Sequence, residues 1–152
     1  IPFFILYLKI GILDTHIGII IAHIGLNLSI IVWIMRSFYE ELPLEIEEAS
    51  YVDGSSFFQT FYKIAVPLSL PGISAVGIIT FLFSWNEFLF ALVLGDSVVR
   101  TAPVGLYGFV GYQTIYWGQL SASASLLLIP VLFFVFLFQK PLIKGLTFGS
   151  YK

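Results

Sequence analysis

Glu48-Ala49-Ser50-Tyr51-Val52-Asp53-Gly54 is a polar stretch that lies between two long apolar segments. The polar region that surrounds it, residues 40–66, contains five glutamates and two blocks of helix-forming residues separated by a glycine. A connection between two packed helices usually needs only about two to eight residues. The length and the repeated charge of this polar region therefore indicate that it binds a partner.

The composition of the whole chain is that of a protein embedded in lipid. Of its 152 residues, 59% are hydrophobic and 11% are charged, whereas a soluble domain has about 25% charged residues. The net charge is −2 and the basic residues are scattered, which argues against a nucleic-acid surface. Because the chain has no cysteine, disulfides, thiolate metal sites and cysteine nucleophiles are excluded.

Three apolar segments are long enough to cross a membrane, which takes about 20 helical residues. They cover residues 17–35, 73–94 and 120–138. Residues 1–13 are too short for a span, and neither Met nor a basic segment precedes them, so we expect the end of a span cut from a longer chain rather than a signal peptide. Residues 95–119 are mixed and rich in glycine and aromatic residues, and residues 139–152 form a short tail.

The distribution of basic residues predicts the orientation, because Lys and Arg near span ends stay in the cytoplasm. With three spans, one side of the membrane receives Arg36, Lys63, Lys140, Lys144 and Lys152. The other side receives only Lys9 and Arg100. We therefore expect the polar region and the tail to be cytoplasmic, and residues 95–119 to be extracytoplasmic.

Local signals predict two helices in the polar region. Pro43 suits a first helical turn, and the glutamates after it lie near the positive end of the helix dipole, so a short helix is expected over about 44–52. Asp53-Gly54 should end it, since glycine readily adopts the left-handed conformation. Ser56 and Gln59 form a capping-box pattern that starts a second helix. One aromatic face of that helix would hold Phe58, Phe61, Tyr62 and Ala65.

The polar region resembles the EAA signature of bacterial and archaeal ABC-transporter permeases over nearly thirty positions. The matching residues are Pro43, Glu45, Glu48, Ala49, Asp53, Gly54, Phe61, Ile64, Pro67, Leu68 and Pro71. Ser50 stands where the family usually has a second alanine. The resemblance implies a coupling helix that docks into an ATPase subunit. The residues it assigns to ATPase coupling are Glu45, Glu48, Ala49, Ser50, Asp53, Gly54 and Pro67.

Other segments resemble permeases of binding-protein-dependent sugar importers of the maltose and glycerol-phosphate type. They are Ser84-Trp85-Asn86-Glu87-Phe88, Trp117-Gly118-Gln119, Pro130 and Gly145-Leu146-Thr147 with Gly149. The resemblance implies an all-α polytopic membrane protein, the C-terminal half of a type I importer permease bundle. It also implies a second permease subunit, two ATP-binding subunits, an extracytoplasmic solute-binding protein and a sugar or polyol substrate.

Four polar residues inside the apolar segments are candidates for the translocation pathway or a subunit interface: His23, Asn27, Asn86 and Glu87. A charge at the bilayer centre costs several kcal/mol unless it is paired or hydrated, so Glu87 must face protein or water. It could equally fix helix packing through a hydrogen bond. His23 and Asn27 share one helix face and are expected mainly to pack.

The sequence shows no enzymatic or cofactor-binding pattern. It has no GxxxxGK[ST] phosphate loop, so the energy for transport would come from another polypeptide. His16 and His23 have no third ligand at metal-binding spacing. The alternative to a permease is a membrane anchor or structural subunit of an enzyme complex, which would usually show paired intramembrane histidines. A secondary transporter would be expected to carry several intramembrane charges.

Overall fold

The computed structural model describes residues 2–111 and 114–147, and side chains as far as residue 137. These residues form helices α1 to α9 with one π-helical turn between α4 and α5. The helices are α1 Pro2–Ile10, α2 His16–Glu40, α3 Leu44–Val52, α4 Phe57–Thr60, α5 Val66–Leu68, α6 Leu70–Asn86, α7 Leu89–Leu94, α8 Ala102–Tyr107 and α9 Trp117–Thr147. The π-helical turn is Phe61–Ala65. In the described ranges the only pairing of β type is an isolated bridge between Val110 and Ile115. The fold is all-α.

Within the part of the chain that the structure describes, two helices are individually long and apolar enough to cross a membrane. They are α2, with 25 residues, and the first 21 residues of α9, Trp117–Leu137. The apolar segments 17–35 and 120–138 lie within α2 and α9. Helix α9 begins before the predicted span and its backbone stays helical to Thr147, so the predicted tail 139–152 starts as helix. Residues 148–152 lie outside the described residues.

The predicted span 73–94 is not one continuous helix. Helix α6 ends at Asn86, Glu87 and Phe88 are not helical, and α7 follows. The break forms because the Glu87 carboxylate accepts hydrogen bonds from the backbone N–H groups of Phe90 and Ala91, at 2.7 and 3.0 Å, and so starts a new helix. At its other end α6 is bent by 70° from Phe57–Leu68. The described residues therefore contain two spans, or three if this bent pair counts as one.

The chain divides into two compact units. The first unit comprises Ile1–Leu28 and Thr80–Val135, and the second comprises Ser29–Ile79 and Phe136–Lys152. A small hydrophobic core in the first unit joins α1, α2 and α7 with the loop after α7. Its buried members are Tyr7, Ile19, Ala22, Ala91, Leu94 and Val99.

Asp14 joins two loops of the first unit. Its carboxylate accepts hydrogen bonds from four consecutive backbone N–H groups, at 2.8 to 3.1 Å: Asp96, Ser97, Val98 and Val99. Its own N–H donates to the Leu94 carbonyl at 2.9 Å, and its φ of 53° lies in the left-handed region. The hydrogen bonds, those from Val98 and Val99 first, hold the pKa of Asp14 well below its usual range. The loop before α2 is thus fastened to the loop after α7.

Candidate functional site

Helix α3 occupies Leu44–Val52, which confirms the predicted helix in the polar region. Pro43 is the residue before the helix, with φ −63° and ψ 120°, rather than part of its first turn. Glu45 and Glu47 lie in the first turn, where the unpaired backbone N–H groups favour negative charge. The local charge pattern therefore stabilises a helix that contributes little to the core.

Gly54 ends α3 in the left-handed conformation, with a φ of 83°, as predicted. The N–H groups of Asp53, Gly54 and Ser55 donate to the carbonyls of Ala49, Tyr51 and Ser50, each at 3.0 Å. A Cβ atom built on Gly54 would have no heavy atom within 4 Å. The requirement for glycine within this chain is therefore conformational and does not come from lack of space.

Ser56 starts the next helix through the predicted capping box. The Ser56 N–H donates to Oε1 of Gln59 at 2.9 Å, and the Gln59 N–H donates to the Ser56 hydroxyl at 3.4 Å. After one turn the helix widens into the π-helical turn and then into α5. Pro67 lies in α5 and Pro71 in the first turn of α6, so the two prolines bracket the bend at Ser69.

The predicted aromatic face of this second helix is divided. Phe58 and Tyr62 are exposed, whereas Ala65 is buried and Phe61 is partly buried against Tyr39, with ring centroids 6.5 Å apart. The prediction of a single face assumed a regular period of 3.6 residues. The π-helical turn changes that period, so residues spaced for one face point in different directions.

Within the polar region, a buried contact joins α3 to α4. The hydroxyl oxygens of Ser50 and Thr60 lie 2.9 Å apart and share a hydrogen bond. Ser50 is 6% exposed and Thr60 is 2% exposed. In the same unit, α2 and α6 approach closely, because a Cβ on Gly72 would lie only 2.5 Å from the Phe38 ring.

The opposite side of α3 is open. Glu45, Glu48, Ala49 and Asp53 are exposed, and Val52 is 87% exposed. Beyond Gly54, Phe57 and Phe58 are also exposed. An exposed surface that combines large apolar side chains with carboxylates is suited to binding a protein. Glu45 and Glu48 are both accessible on this side in the chain taken alone.

Three of the four intramembrane candidates form one polar cluster in the first unit. The Asn27 side-chain amide donates to the His23 carbonyl at 2.8 Å and to the Ser84 hydroxyl at 3.1 Å. His23 Nε2 lies 3.5 Å from Glu87 Oε2, an ion-pair distance, and both side chains are largely buried. Glu87 therefore caps α7 and also lies against His23 of α2. The only signal for this pair in the sequence is that each residue is isolated in an apolar segment.

Asn86 lies apart from that cluster. Its amide donates to the Leu82 carbonyl at 2.8 Å, and the side chain is exposed. With Trp85 it borders a cavity of about 260 Å³ in the first unit. The other lining residues are Pro103, Leu106, Leu127, Leu128 and Val131. The adjacent residues Asn86 and Glu87 therefore have different surroundings, which their common motif did not indicate.

Apolar spans, a helix broken beside a buried carboxylate and an exposed helix between spans together define a helical membrane protein. The family model for the inner membrane component of binding-protein-dependent transport systems matches residues 1–147. The chain belongs to this family. It is thus a multi-pass protein of a bacterial or archaeal plasma membrane, as the sequence predicts.

Similar proteins are known in bacteria and archaea. A probable ABC transporter permease, y4oR of Sinorhizobium fredii, is 40% identical over 152 residues, covering 100% of this chain and 55% of that protein. The trehalose/maltose permease MalG of Thermococcus litoralis is 34% identical over 95% of this chain and 52% of its own length. The sulfoquinovosyl glycerol permease SmoH of Agrobacterium fabrum is 31% identical over 100% of this chain and 54% of its own length. The chain spans about half the length of these curated relatives.

Proposed function

We propose that the chain is part of a permease subunit of an ATP-driven, binding-protein-dependent importer for a sugar or polyol. The observation that carries this proposal is the geometry of α3, an exposed helix ended by a left-handed glycine. The stretch that contains it resembles the EAA signature. The names of MalG, a trehalose/maltose permease, and SmoH, a sulfoquinovosyl glycerol permease, support a sugar or a sugar derivative as substrate. An anchor or structural subunit of an enzyme complex has no such support, and we propose no enzymatic activity.

The partners follow from this role. Two ATP-binding subunits would supply the energy, a second permease subunit would complete the pathway and an extracytoplasmic protein would deliver the substrate. The coupling residues are those of the EAA resemblance: Glu45, Glu48, Ala49, Ser50, Asp53, Gly54 and Pro67. We propose no cofactor or metal for this role.

Movement of α3 would reach the membrane helices through contacts within the second unit. The buried Ser50–Thr60 bond joins α3 to α4, and Phe61 stacks on Tyr39 at the end of α2. Phe38 and Gly72 then connect α2 with the beginning of α6 at close contact. Because tightly packed side chains transmit displacement, a push on α3 would shift the cytoplasmic ends of both helices and alternate access to the pathway.

Among the pathway candidates we favour Asn86. Its amide is exposed beside a cavity, whereas the Asn27 and Glu87 side chains are largely buried and bind groups of their own unit. His23, Asn27 and Glu87 are therefore assigned to packing and to the break between α6 and α7.

The orientation can be tested with single cysteines, since the chain has none of its own. We expect Ser55→Cys in the polar region to react with an impermeant maleimide only after the cells are permeabilised. Val98→Cys, at an exposed position after α7, is expected to react in intact cells. The opposite labelling pattern would overturn the orientation, and with it the proposed cytoplasmic coupling.

Glu45 and Glu48 provide a matched pair for testing the docking of α3. Exposed ion pairs contribute about 0–1 kcal/mol, whereas removing one partner of a desolvated pair costs about 3–5 kcal/mol. We expect Glu48→Ala to reduce transport at least about tenfold through weaker binding of the ATPase. Glu45→Ala should change transport less than about twofold. Uptake assays and co-purification of the ATPase subunits measure both effects, and two equally negligible defects would make the polar region a solvated acidic surface.

A further inference from the structure

We infer that Ser50 and Thr60 act as a positioning pair that sets the angle between α3 and the following helix, and thereby the efficiency of coupling. The inference rests on the proposed function. It adds Thr60 to the coupling residues and gives Ser50 a role inside the polar region rather than at the ATPase surface. Their hydroxyls lie 2.9 Å apart and are buried, with Thr60 only 2% exposed. They are therefore placed to hold α3 in position without touching the ATPase.

The same two residues also fasten the backbone of the connection between the helices. The Ser50 carbonyl accepts the N–H of Ser55 at 3.0 Å, and the Thr60 N–H donates to the Ser56 carbonyl at 2.9 Å. Between these bonds, Gly54 fixes a left-handed turn and Ser56 is held by its capping box. The hydroxyl bond thus closes a compact link whose backbone is already defined at both ends.

The chemistry at position 50 distinguishes this chain from the family pattern described above. An alanine there could not bind the Thr60 hydroxyl, so the usual family residue would leave a buried polar group without its present partner. Losing one partner of a buried hydrogen bond is costly, whereas replacing both by apolar groups of similar shape can be almost neutral. Replacing Ser50 by alanine, the usual family residue, is therefore expected to impair coupling in this protein unless Thr60 is replaced as well.

A double-mutant cycle in the assembled transporter tests this expectation. The variants are Ser50→Ala, Thr60→Val and the combination of the two, in which valine keeps the branched shape of threonine. The readout is the number of substrate molecules transported per ATP hydrolysed, measured in proteoliposomes with the substrate that the unaltered transporter takes up. Each single variant should lower this ratio about three- to tenfold, and the double variant should return to within about twofold of the unaltered ratio.

Two further measurements separate positioning from general stability. Co-purification of the ATPase subunits should be unchanged in all three variants, because neither side chain is on the exposed surface of α3. Ser37→Ala is the matched control, since its exposed hydroxyl donates to the Trp33 carbonyl in α2, and it should leave the ratio unaltered. If a single variant fails to accumulate, the inference is judged on the transport ratio of the double variant. A ratio within about twofold of the unaltered one supports the inference, and an impaired ratio overturns it.

The inference would be overturned by an unchanged ratio in both single variants, or by a double variant as impaired as the two defects combined. A failure of this kind is distinguishable from a failure of the proposed function. If Glu48→Ala still uncouples the transporter, the coupling role of α3 stands and only the Ser50–Thr60 inference is lost. If Glu48→Ala has no effect and no ATPase co-purifies, the proposed function fails as well.

Discussion

Replacing Gly54 by valine is expected to abolish substrate-stimulated ATP hydrolysis in the reconstituted transporter while membrane insertion stays normal. Gly54 has a φ of 83°, and a β-branched residue in this conformation is strained by about 1–3 kcal/mol. Since the end of α3 is exposed and supported by few contacts, the simplest relief of this strain is a change of the turn itself. Such a change would move α3 relative to its proposed partner.

The control for this experiment is Gly54→Asn. Asparagine adopts the left-handed conformation more readily than other residues with a side chain, so this variant should retain most of the stimulated hydrolysis. A Cβ at position 54 has no heavy atom of this chain within 4 Å, so a steric conflict inside the subunit would not explain a defect. Normal stimulated hydrolysis in Gly54→Val would count against coupling through α3.

Replacing Asp14 by asparagine is expected to release the loop after α7. The carboxylate accepts four backbone N–H groups, whereas an asparagine side chain offers one oxygen and turns an NH₂ group toward the remaining donors. Hydrogen exchange at residues 96–99, followed by mass spectrometry of the complex, should become at least about tenfold faster. Asp96→Asn is the control, because it removes an exposed charge and leaves the backbone N–H donors in place.

The lowered pKa of Asp14 also fixes the pH range in which this difference is seen. A carboxyl group whose pKa falls on folding stabilises the fold fully above its unfolded pKa of about 3.9 and loses that contribution as the pH falls through the folded pKa. Asp14 therefore stays ionised between pH 5 and pH 8, and the ratio of exchange rates between variant and unaltered protein should stay constant over that range. Equal rates in both proteins would show that the carboxylate does not hold this loop.

The parts of the fold that could be predicted from the sequence depend on neighbouring residues. The bounds of α3, the left-handed Gly54 and the capping box of Ser56 all follow from signals within a few positions. Each rests on a local backbone preference that is independent of contacts with distant parts of the chain.

The parts that could not be predicted depend on contacts between distant segments. Glu87 interrupts its span because its carboxylate folds back onto the next turn and faces His23 from another helix. Asp14 lies between two apolar segments of the sequence, but its partners lie more than eighty positions along the chain. The bond between Ser50 and Thr60 depends on the turn that brings the two helices together. Residue types alone do not specify such pairings.

The break between α6 and α7 has a consequence for the surrounding lipid. Helix α6 has 17 residues, which at about 1.5 Å per residue span roughly 25 Å. A bilayer has a hydrocarbon thickness of about 30 Å, so α6 cannot reach both of its boundaries when it stands upright. Acyl chains cannot hydrogen bond to the backbone groups at an interrupted helix. The Glu87 carboxylate accepts hydrogen bonds from two of those N–H groups, which water would accept in a soluble protein.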